Sequence, residues 1–190
     1  TSTSLLITIS PKVICNSVAC LTGAMSFKNN AAVMQHSGNI QVFSAIWQQK
    51  LKFGILHFNS EIAYQKSSEP SILPLPELSL YGNICLKGNL VKNVLKAELG
   101  ADVRYFTKYN APDYSPVIGQ FYLQNPQNQI AIGGCPMANV YANLHWKRTR
   151  IFVMMYNVTQ TMGNSRYFLA PHYPISPRIL KLGISWNFFD

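Results

Sequence analysis

The feature that most constrains the fold is a strict alternation of apolar and polar residues over long stretches. From Leu180 to Phe188, apolar residues occupy every second position, and Lys, Ser, Asn or Gly occupies the positions between them. Residues 95–105 repeat the pattern. A period of two places successive side chains on opposite faces of a β-strand. Residues 94–106 also fit a helical period, but eleven alternating positions and the presence of Gly100 favour a strand with two unlike faces.

Read along the whole chain, the same pattern predicts nine strands. They are residues 3–10, 18–28, 40–52, 55–66, 78–91, 94–106, 137–147, 150–160 and 178–189. The first two show the weakest alternation, and residues 150–160 are apolar on both faces. The sequence is therefore expected to be all-β.

The links between the expected strands alternate strictly between short and long. Very short links occur at Gly54, at residues 92–93 and at residues 148–149, whereas the long links are 67–77, 107–136 and 161–177. Tight periplasmic turns and longer extracellular loops are typical of outer-membrane barrels. Strands of eleven to fourteen residues are also longer than the roughly 5–6 of soluble sandwiches. The pattern predicts an antiparallel transmembrane β-barrel in which residues 1–190 form a single domain.

The strand count has a consequence for the chain ends. An odd number of strands puts the two ends on opposite sides of the membrane, whereas bacterial single-chain barrels have an even number of strands. Nine strands thus imply either a tenth strand within residues 107–136 or further strands before Thr1. The second alternative is preferred, so the chain is expected to be the C-terminal portion of a larger barrel.

Composition excludes several other classes of protein. Only 12% of the 190 residues are charged and 48% are apolar, which excludes a disordered chain or a coiled coil. The longest apolar run, residues 151–156, is far shorter than the roughly 20 residues of a membrane-spanning helix. The net charge is +9, but the basic residues are spread singly over alternate positions. Nucleic acid is therefore not an expected partner.

The inward faces of the expected barrel carry more cations than acids. Such an excess in a low-dielectric wall raises the local concentration of anions. The alternative is a hydrated or mutually paired interior with no preference. The predicted lumen-lining residues are Lys50, Lys52, Glu61, Lys87, Lys96, Glu98, Asp102, Arg104, Asn139, Asn143, His145, Lys147 and Lys181.

Aromatic residues are expected at two levels, near the two rims of the barrel. Such rings suit a membrane interface because they combine an apolar body with a polar edge, although a soluble core would use them too. The predicted interface aromatics are Tyr64, Tyr105, Phe106, Trp146, Trp186 and Phe188. Basic residues at positions 147, 148 and 150 lie beside a tight turn and either meet lipid phosphates or are simply solvated.

No residue pattern indicates catalysis or a cofactor. The four cysteines, Cys15, Cys20, Cys85 and Cys135, lack the paired spacing of a zinc site. The four histidines are scattered, and neither a phosphate-binding loop nor a nucleophile elbow occurs. We therefore expect no metal, no cofactor and no enzymatic activity.

Several stretches resemble the β-barrel porins of Bacteroidetes outer membranes. They are LPLPELSLY at 73–81, GADVRYFTKYNAP at 100–112, NVYAN at 139–143, KRTRIFVMMYNV at 147–158, PHYPISPR at 171–178 and GISWNFFD at 183–190. The resemblance covers most of residues 40–190. It implies a barrel in outer-membrane lipid that passes small hydrophilic solutes. It also implies that the barrel-assembly machinery recognises the C-terminal strand.

Two other hypotheses remain open from the sequence. One is a soluble or periplasmic β-sandwich or small barrel that binds an apolar ligand, in which the alternating apolar residues would point into a core. The other is a structural outer-membrane barrel in a larger assembly, with its lumen plugged by residues 107–136. In a porin the apolar residues would instead point towards lipid.

Overall fold

The computed structural model describes residues 7–22, 25–28, 32–35, 38–91, 94–161 and 168–188. These residues form fourteen β-strands and one short 3-10 turn at Val158–Thr161. In chain order the strands are β1 (Ile7–Thr22), β2 (Met25–Lys28), β3 (Ala32–Gln35), β4 (Asn39–Phe53), β5 (Leu56–Ser67), β6 (Leu78–Val91), β7 (Leu95–Phe106), β8 (Asp113–Ser115), β9 (Gln120–Tyr122), β10 (Met137–Trp146), β11 (Thr149–Tyr156), β12 (Phe168–Ala170), β13 (Tyr173–Pro174) and β14 (Ile179–Trp186).

Eight of these strands form one antiparallel sheet in the order β1-β4-β5-β6-β7-β10-β11-β14. Each strand pairs with the next long strand along the chain, so the sheet is an up-and-down meander. The edge strands β1 and β14 are not hydrogen-bonded to each other among the described residues. The antiparallel all-β architecture is thus confirmed, and the sheet is open.

Two of the short links are two-residue hairpin turns. Phe53 pairs with Leu56, and Gly54 between them has a φ of 58°, a conformation that glycine adopts without steric cost. Trp146 pairs with Thr149, and here the residue with positive φ is Lys147, at 50°. The edge of the sheet that carries these turns is called the turn end below, and the opposite edge the loop end.

Longer links at the loop end contain secondary structure of their own. The link between β1 and β4 contains the β2–β3 hairpin, and the link between β7 and β10 contains the β8–β9 hairpin. The link between β11 and β14 contains β12 and β13. The expected alternation of short and long links therefore appears in the structure, with small hairpins inside segments expected to be loops.

The N-terminal part of the strand assignment was wrong. The structure has one continuous strand over residues 7–22, where the sequence predicted separate strands at 3–10 and 18–28. Residues 3–6 of the first prediction, and the short link at residues 92–93, lie outside the described residues. At the other end of the chain, β11 and β14 are each eight residues long and stop before the predicted limits of 160 and 189.

This correction changes the argument from strand parity. Eight antiparallel strands run alternately, so β1 starts at the turn end, where Ile7 pairs with Phe53. Strand β14 finishes at the same end, where Trp186 pairs with Thr149. Strand parity therefore carries no information on whether further strands precede residue 1.

Very little apolar material is buried. Among the residues whose burial the structure describes, the buried hydrophobic side chains are Ile40, Cys85, Ala111 and Ile132. Two of these, Ala111 and Ile132, lie in the link between β7 and β10. The sheet does not enclose an apolar core of the kind that stabilises a soluble domain.

Candidate functional site: the two faces of the sheet

One face of the eight-stranded sheet is lined by polar and charged side chains. Residues directly opposite each other in an antiparallel pair share a face. The registers place Glu98 opposite Lys87 and Asn143, and Lys96 opposite Asn89 and His145. Of the predicted lumen-lining residues, these registers bring together on one face Lys50, Lys52, Glu61, Lys87, Lys96, Glu98, Asp102, Arg104, Asn139, Asn143, His145 and Lys181. This surface is called the polar face.

The opposite face carries the alternating apolar residues, and most of them are exposed. Leu182 and Ile184 of β14 are 69% and 72% exposed, and Leu99 of β7 is 53% exposed. Other large side chains exposed on this face are Phe43, Trp47, Tyr64, Ile84, Leu86, Val103, Val140, Trp146, Met155, Leu180 and Trp186. This apolar face spans seven strands and is not covered by another layer of the described chain.

The predicted interface aromatics fall at the two ends of the sheet. Trp146 and Trp186 both pair with Thr149 beside the turn between β10 and β11, and Phe188 stacks on Trp186 with centroids 6.1 Å apart. Tyr64 and Tyr105 lie near the loop end, opposite Leu78 and Leu80. Phe106 differs from the prediction: it is opposite Ser79, two residues beyond Arg104, and therefore lies on the polar face rather than beside Tyr105. Its ring centre lies 6.1 Å from that of Tyr109 in the following link.

Most charges on the loop-end half of the polar face have partners. Asn139 donates to Asp102 at 3.0 Å, and Gln48 donates to Glu61 at 2.8 Å. The guanidinium of Arg104 lies 5.5 Å from the centre of the Tyr81 ring. Lys181 lies 5.0 Å from the centre of the Tyr156 ring. Asp102 is buried, and its hydrogen bond to Asn139 compensates for lost hydration.

The turn-end half is organised differently. Here Lys87 forms an ion pair with Glu98 at 3.3 Å. A cavity of about 790 Å³ opens beside this pair, and a second cavity of about 640 Å³ lies further towards the loop end. Both are lined mainly by residues of the polar face, and none of their lining residues comes from positions 107–136.

Lys147 lies in the turn between β10 and β11 rather than on β10, which ends at Trp146. Its backbone N–H donates to the carbonyl oxygen of Val94 at 3.2 Å, which links two neighbouring turns. The sequence pattern failed here because a residue with positive φ leaves the strand conformation even though its side-chain type continues the alternation.

Arg150, Tyr141 and Phe152 also belong to the polar face and were missed by the sequence reasoning. Arg150 pairs with His145 on the other side of the two-residue turn. Pairing residues outwards from that turn would have placed Arg150 on this face. The hydroxyl of Tyr141 accepts a hydrogen bond from Asn83 at 3.0 Å, across the intervening Gly100. Phe152 covers Gly183 on the neighbouring strand. Aromatic rings thus fill the space that the glycines leave open.

A second polar cluster joins two links at the loop end. The Asp113 carboxylate, whose side chain is 6% exposed, accepts hydrogen bonds from the Tyr122 hydroxyl at 2.7 Å and the Tyr114 backbone N–H at 2.8 Å. His172 Nδ1 lies 2.9 Å from the same carboxylate, and the His172 backbone has a φ of 68°. The rings of Tyr114 and Tyr173 add an edge contact at 5.8 Å.

This environment changes the acidity of Tyr122. Burial, together with the hydrogen bond to Asp113 and the negative charge of that carboxylate, raises the pKa of Tyr122 to about 12. In the same link, burial raises the pKa of Tyr109. The cluster therefore keeps the Tyr122 phenol protonated well into the alkaline range. It also ties the β8–β9 hairpin to the residues around β13.

Within the described ranges, no group of three His, Cys, Asp or Glu side chains is arranged to hold a metal ion. None of the helices in the described part of the chain is both long enough and apolar enough to cross a membrane.

Comparison with known proteins identifies the family. A family model described as "Putative porin" matches residues 17–190, which is most of the chain. No curated protein and no solved structure matches the chain. A porin family implies an outer-membrane location in general and a role in transport rather than catalysis. The chain, an antiparallel β-sheet protein with one polar and one exposed apolar face, belongs to this porin family.

Proposed function

We propose that the chain contributes to an outer-membrane pore through which small hydrophilic solutes diffuse passively, in a bacterium of the Bacteroidetes type. The observation that carries the proposal is the separation of the two faces of the sheet. Seven strands expose apolar side chains on one face, while the other face concentrates the charged and hydrogen-bonding residues. The apolar face of such a sheet suits contact with lipid, and the polar face suits contact with water.

The exposed apolar face argues against the soluble alternative. In a sandwich or a small ligand-binding barrel, residues such as Ile84, Leu99 and Val140 would pack into a core about 10 Å thick. Each of them is instead at least 47% exposed. An uncovered apolar surface of this extent marks contact with lipid or with another protein, and the porin family favours lipid.

The balance of charge on the polar face supports a preference for anions. The strands whose side chains are described place seven cations on this face, namely Lys50, Lys52, Lys87, Lys96, Arg104, Arg150 and Lys181. They place three acids there, Glu61, Glu98 and Asp102. An excess of positive charge along a narrow water-filled path lowers the free energy of anions relative to cations.

Strand β14 also supports a role in assembly. Among the described residues it pairs with β11 on one side and with no strand on the other. At its turn end the ring of Trp186 stacks with that of Phe188, which follows the strand. A free edge presents unpaired backbone groups that another strand can use. We propose that the barrel-assembly machinery recognises this strand and that outer-membrane lipid covers its apolar face.

The pore is tested by recording currents from the purified full chain reconstituted in planar bilayers. We expect discrete conductance steps and, under a KCl gradient, a reversal potential whose sign indicates chloride preference. Lys50→Glu should shift that potential towards the cation side because it reverses a charge on the polar face. Protein that inserts but carries no current would contradict the pore and favour a plugged structural barrel. A strong cation preference would contradict the proposed selectivity.

A further inference from the structure

The larger cavity, at the turn end of the polar face, has an unusual set of lining residues. Five strands contribute to it, and four of its lining side chains are charged: Lys87, Lys96, Glu98 and Arg150. The other polar side chains around it are Asn89, Asn143, His145 and Ser185. Its volume of about 790 Å³ is ample for a small ion with part of its hydration shell.

The charges in this cavity are not balanced. Glu98 is the single acid among its lining residues, and Lys87 pairs with it at 3.3 Å. Within the part of the chain that the structure describes, Lys96 and Arg150 make no ion pair, hydrogen bond or ring contact. The loop-end cations Arg104 and Lys181, in contrast, each lie over a tyrosine ring. Unpartnered positive charge is therefore concentrated at the turn end.

The register places the two unpartnered cations around one point. Lys96 is opposite His145, His145 is opposite Arg150, and Arg150 is opposite Ser185. Adjacent strands lie about 4.8 Å apart, so the Lys96 and Arg150 backbones are separated by about 10 Å. Both side chains are long enough to reach an ion held over His145. Ser185 and Asn143 supply neutral hydrogen-bond donors on the same surface.

We propose that this cavity binds a small soluble oxyanion of the phosphate type. The planar guanidinium of Arg150 presents two parallel N–H groups to a pair of anion oxygens, and the Lys96 ammonium neutralises the remaining charge. The excess positive charge does not attract a neutral solute and repels a cation, so an anion fits this cavity best. In the proposed pore, the site would concentrate anions at the periplasmic mouth; this physiological role rests on the proposed function, whereas binding itself does not.

A lipid headgroup also carries a phosphate group, but it would approach the sheet from the apolar face. Arg150 lies on the polar face beside Phe152 and Ser185 in the lining of the cavity. Its sequence neighbours Thr149 and Ile151 pair with Trp186 and Ile184 on the apolar face. The Arg150 side chain is thus directed away from the surface assigned to lipid, and a soluble anion fits the geometry better.

Equilibrium binding of inorganic phosphate to the full chain in non-ionic, phosphate-free detergent tests the proposal. Titration calorimetry of the wild type is compared with Lys96→Gln, Arg150→Gln and the control Lys50→Gln. The control removes one positive charge from the polar face outside the cavity. Heat-modifiable migration on gels checks that every variant is folded. This readout needs no conducting channel, so failure of the site and failure of the pore are distinguishable.

We expect the wild type to bind phosphate and each cavity variant to lose about tenfold in affinity, as for one charge-assisted hydrogen bond. Lys50→Gln should lose less than about threefold. Absence of binding by the folded wild type, or an equal loss in Lys50→Gln, would overturn the proposal. Phosphate binding that disappears when phosphatidylglycerol is added to the micelles would overturn the assignment to a soluble anion.

Discussion

Single residues on the polar face show how close contacts are made between strands. Gly100 lies between Cys85 and Tyr141 on the neighbouring strands, and the Tyr141 ring occupies the space that a side chain at position 100 would take. The ring crosses over this gap to reach Asn83. The absence of a side chain at Gly100 is therefore a requirement of the packing, although glycine weakens strands in general.

Replacing Gly100 with alanine should displace the Tyr141 ring and break its hydrogen bond with Asn83. We expect the free energy of unfolding to fall by about 1–3 kcal/mol, the usual cost of overpacking. Gly82→Ala is the matched control, because a Cβ at position 82 meets no atom within 4 Å. The control should change stability by less than about 0.5 kcal/mol. Urea titration of protein refolded into lipid measures both, and equal losses would contradict this packing.

The pKa of Tyr122 gives a prediction at alkaline pH. Burial and Asp113 raise that pKa from 10.0 to about 12, so the folded state retains a proton that the unfolded state loses first. The stability contributed by this group is complete below pH 10 and is lost as the pH rises towards 12. Absorbance at 295 nm should show a phenol that titrates near pH 12 in the wild type and is missing from Tyr122→Phe. Identical titration curves for the two proteins would contradict the assignment.

Predictability at the residue scale depended on local periodicity. Alternation alone put Lys87 and Glu98 on one face, and the structure joins them as an ion pair. The contact of Asp113 with His172 joins residues 59 positions apart, in two links that have no periodic pattern. Nothing in the sequence signals such a contact, because it depends on how two irregular segments meet.

At the scale of whole elements, β14 separates the two faces most clearly. Leu182 and Ile184 project from one side, whereas Lys181 and Ser185 project from the other. A lysine in place of Leu182 should cost about 2–4 kcal/mol of folding stability if that side meets the bilayer interior. Ser185→Lys, three residues away on the polar face, should still insert and fold, with at most about 1 kcal/mol lost to repulsion from Arg150 opposite it. Folding into liposomes, followed by gel mobility, distinguishes these results, and equal insertion of both variants would contradict a lipid-facing Leu182.

The positions of the three tryptophans predict how deep each side chain lies in the bilayer. Trp146 and Trp186 lie beside the turn between β10 and β11, whereas Trp47 lies six residues before the end of β4, about 20 Å along the strand. In single-tryptophan variants, bromine near the lipid headgroups should quench Trp146 and Trp186 most strongly. Bromine deep in the acyl chains should quench Trp47 most strongly. The same quenching profile for all three would contradict the two-level arrangement.

Element boundaries were predictable where alternation is unbroken and were lost where it is interrupted. Strand β7 was predicted to within one residue at its N-terminus because eleven positions alternate. Strand β1 was divided in two because Pro11 interrupts the pattern and the register with β4 shifts between Asn16 and Ala19. Such a bulge changes the phase of the alternation, so one strand gave the signal of two separate strands.

At the scale of the whole molecule, strand number limits the pore. An eight-stranded barrel has an interior that side chains fill, whereas open channels belong to wider barrels. The sheet has eight strands, and its edges β1 and β14 are free among the described residues. In the proposed pore, diffusion of solutes therefore requires further strands, of this chain or of another copy, to pair with these edges. The polar face would then form one section of the wall of a wider lumen.

The central claim is that the apolar face contacts lipid and the polar face contacts water. Spin labels placed singly at residues 95–99 and 101–103 of β7, in the full chain reconstituted in liposomes, test it most directly. Accessibility to oxygen should peak at positions 97, 99, 101 and 103, because these share the apolar face, and accessibility to a water-soluble nickel complex should peak at 96, 98 and 102. Accessibilities that do not alternate, or that alternate in the opposite phase, would contradict the claim.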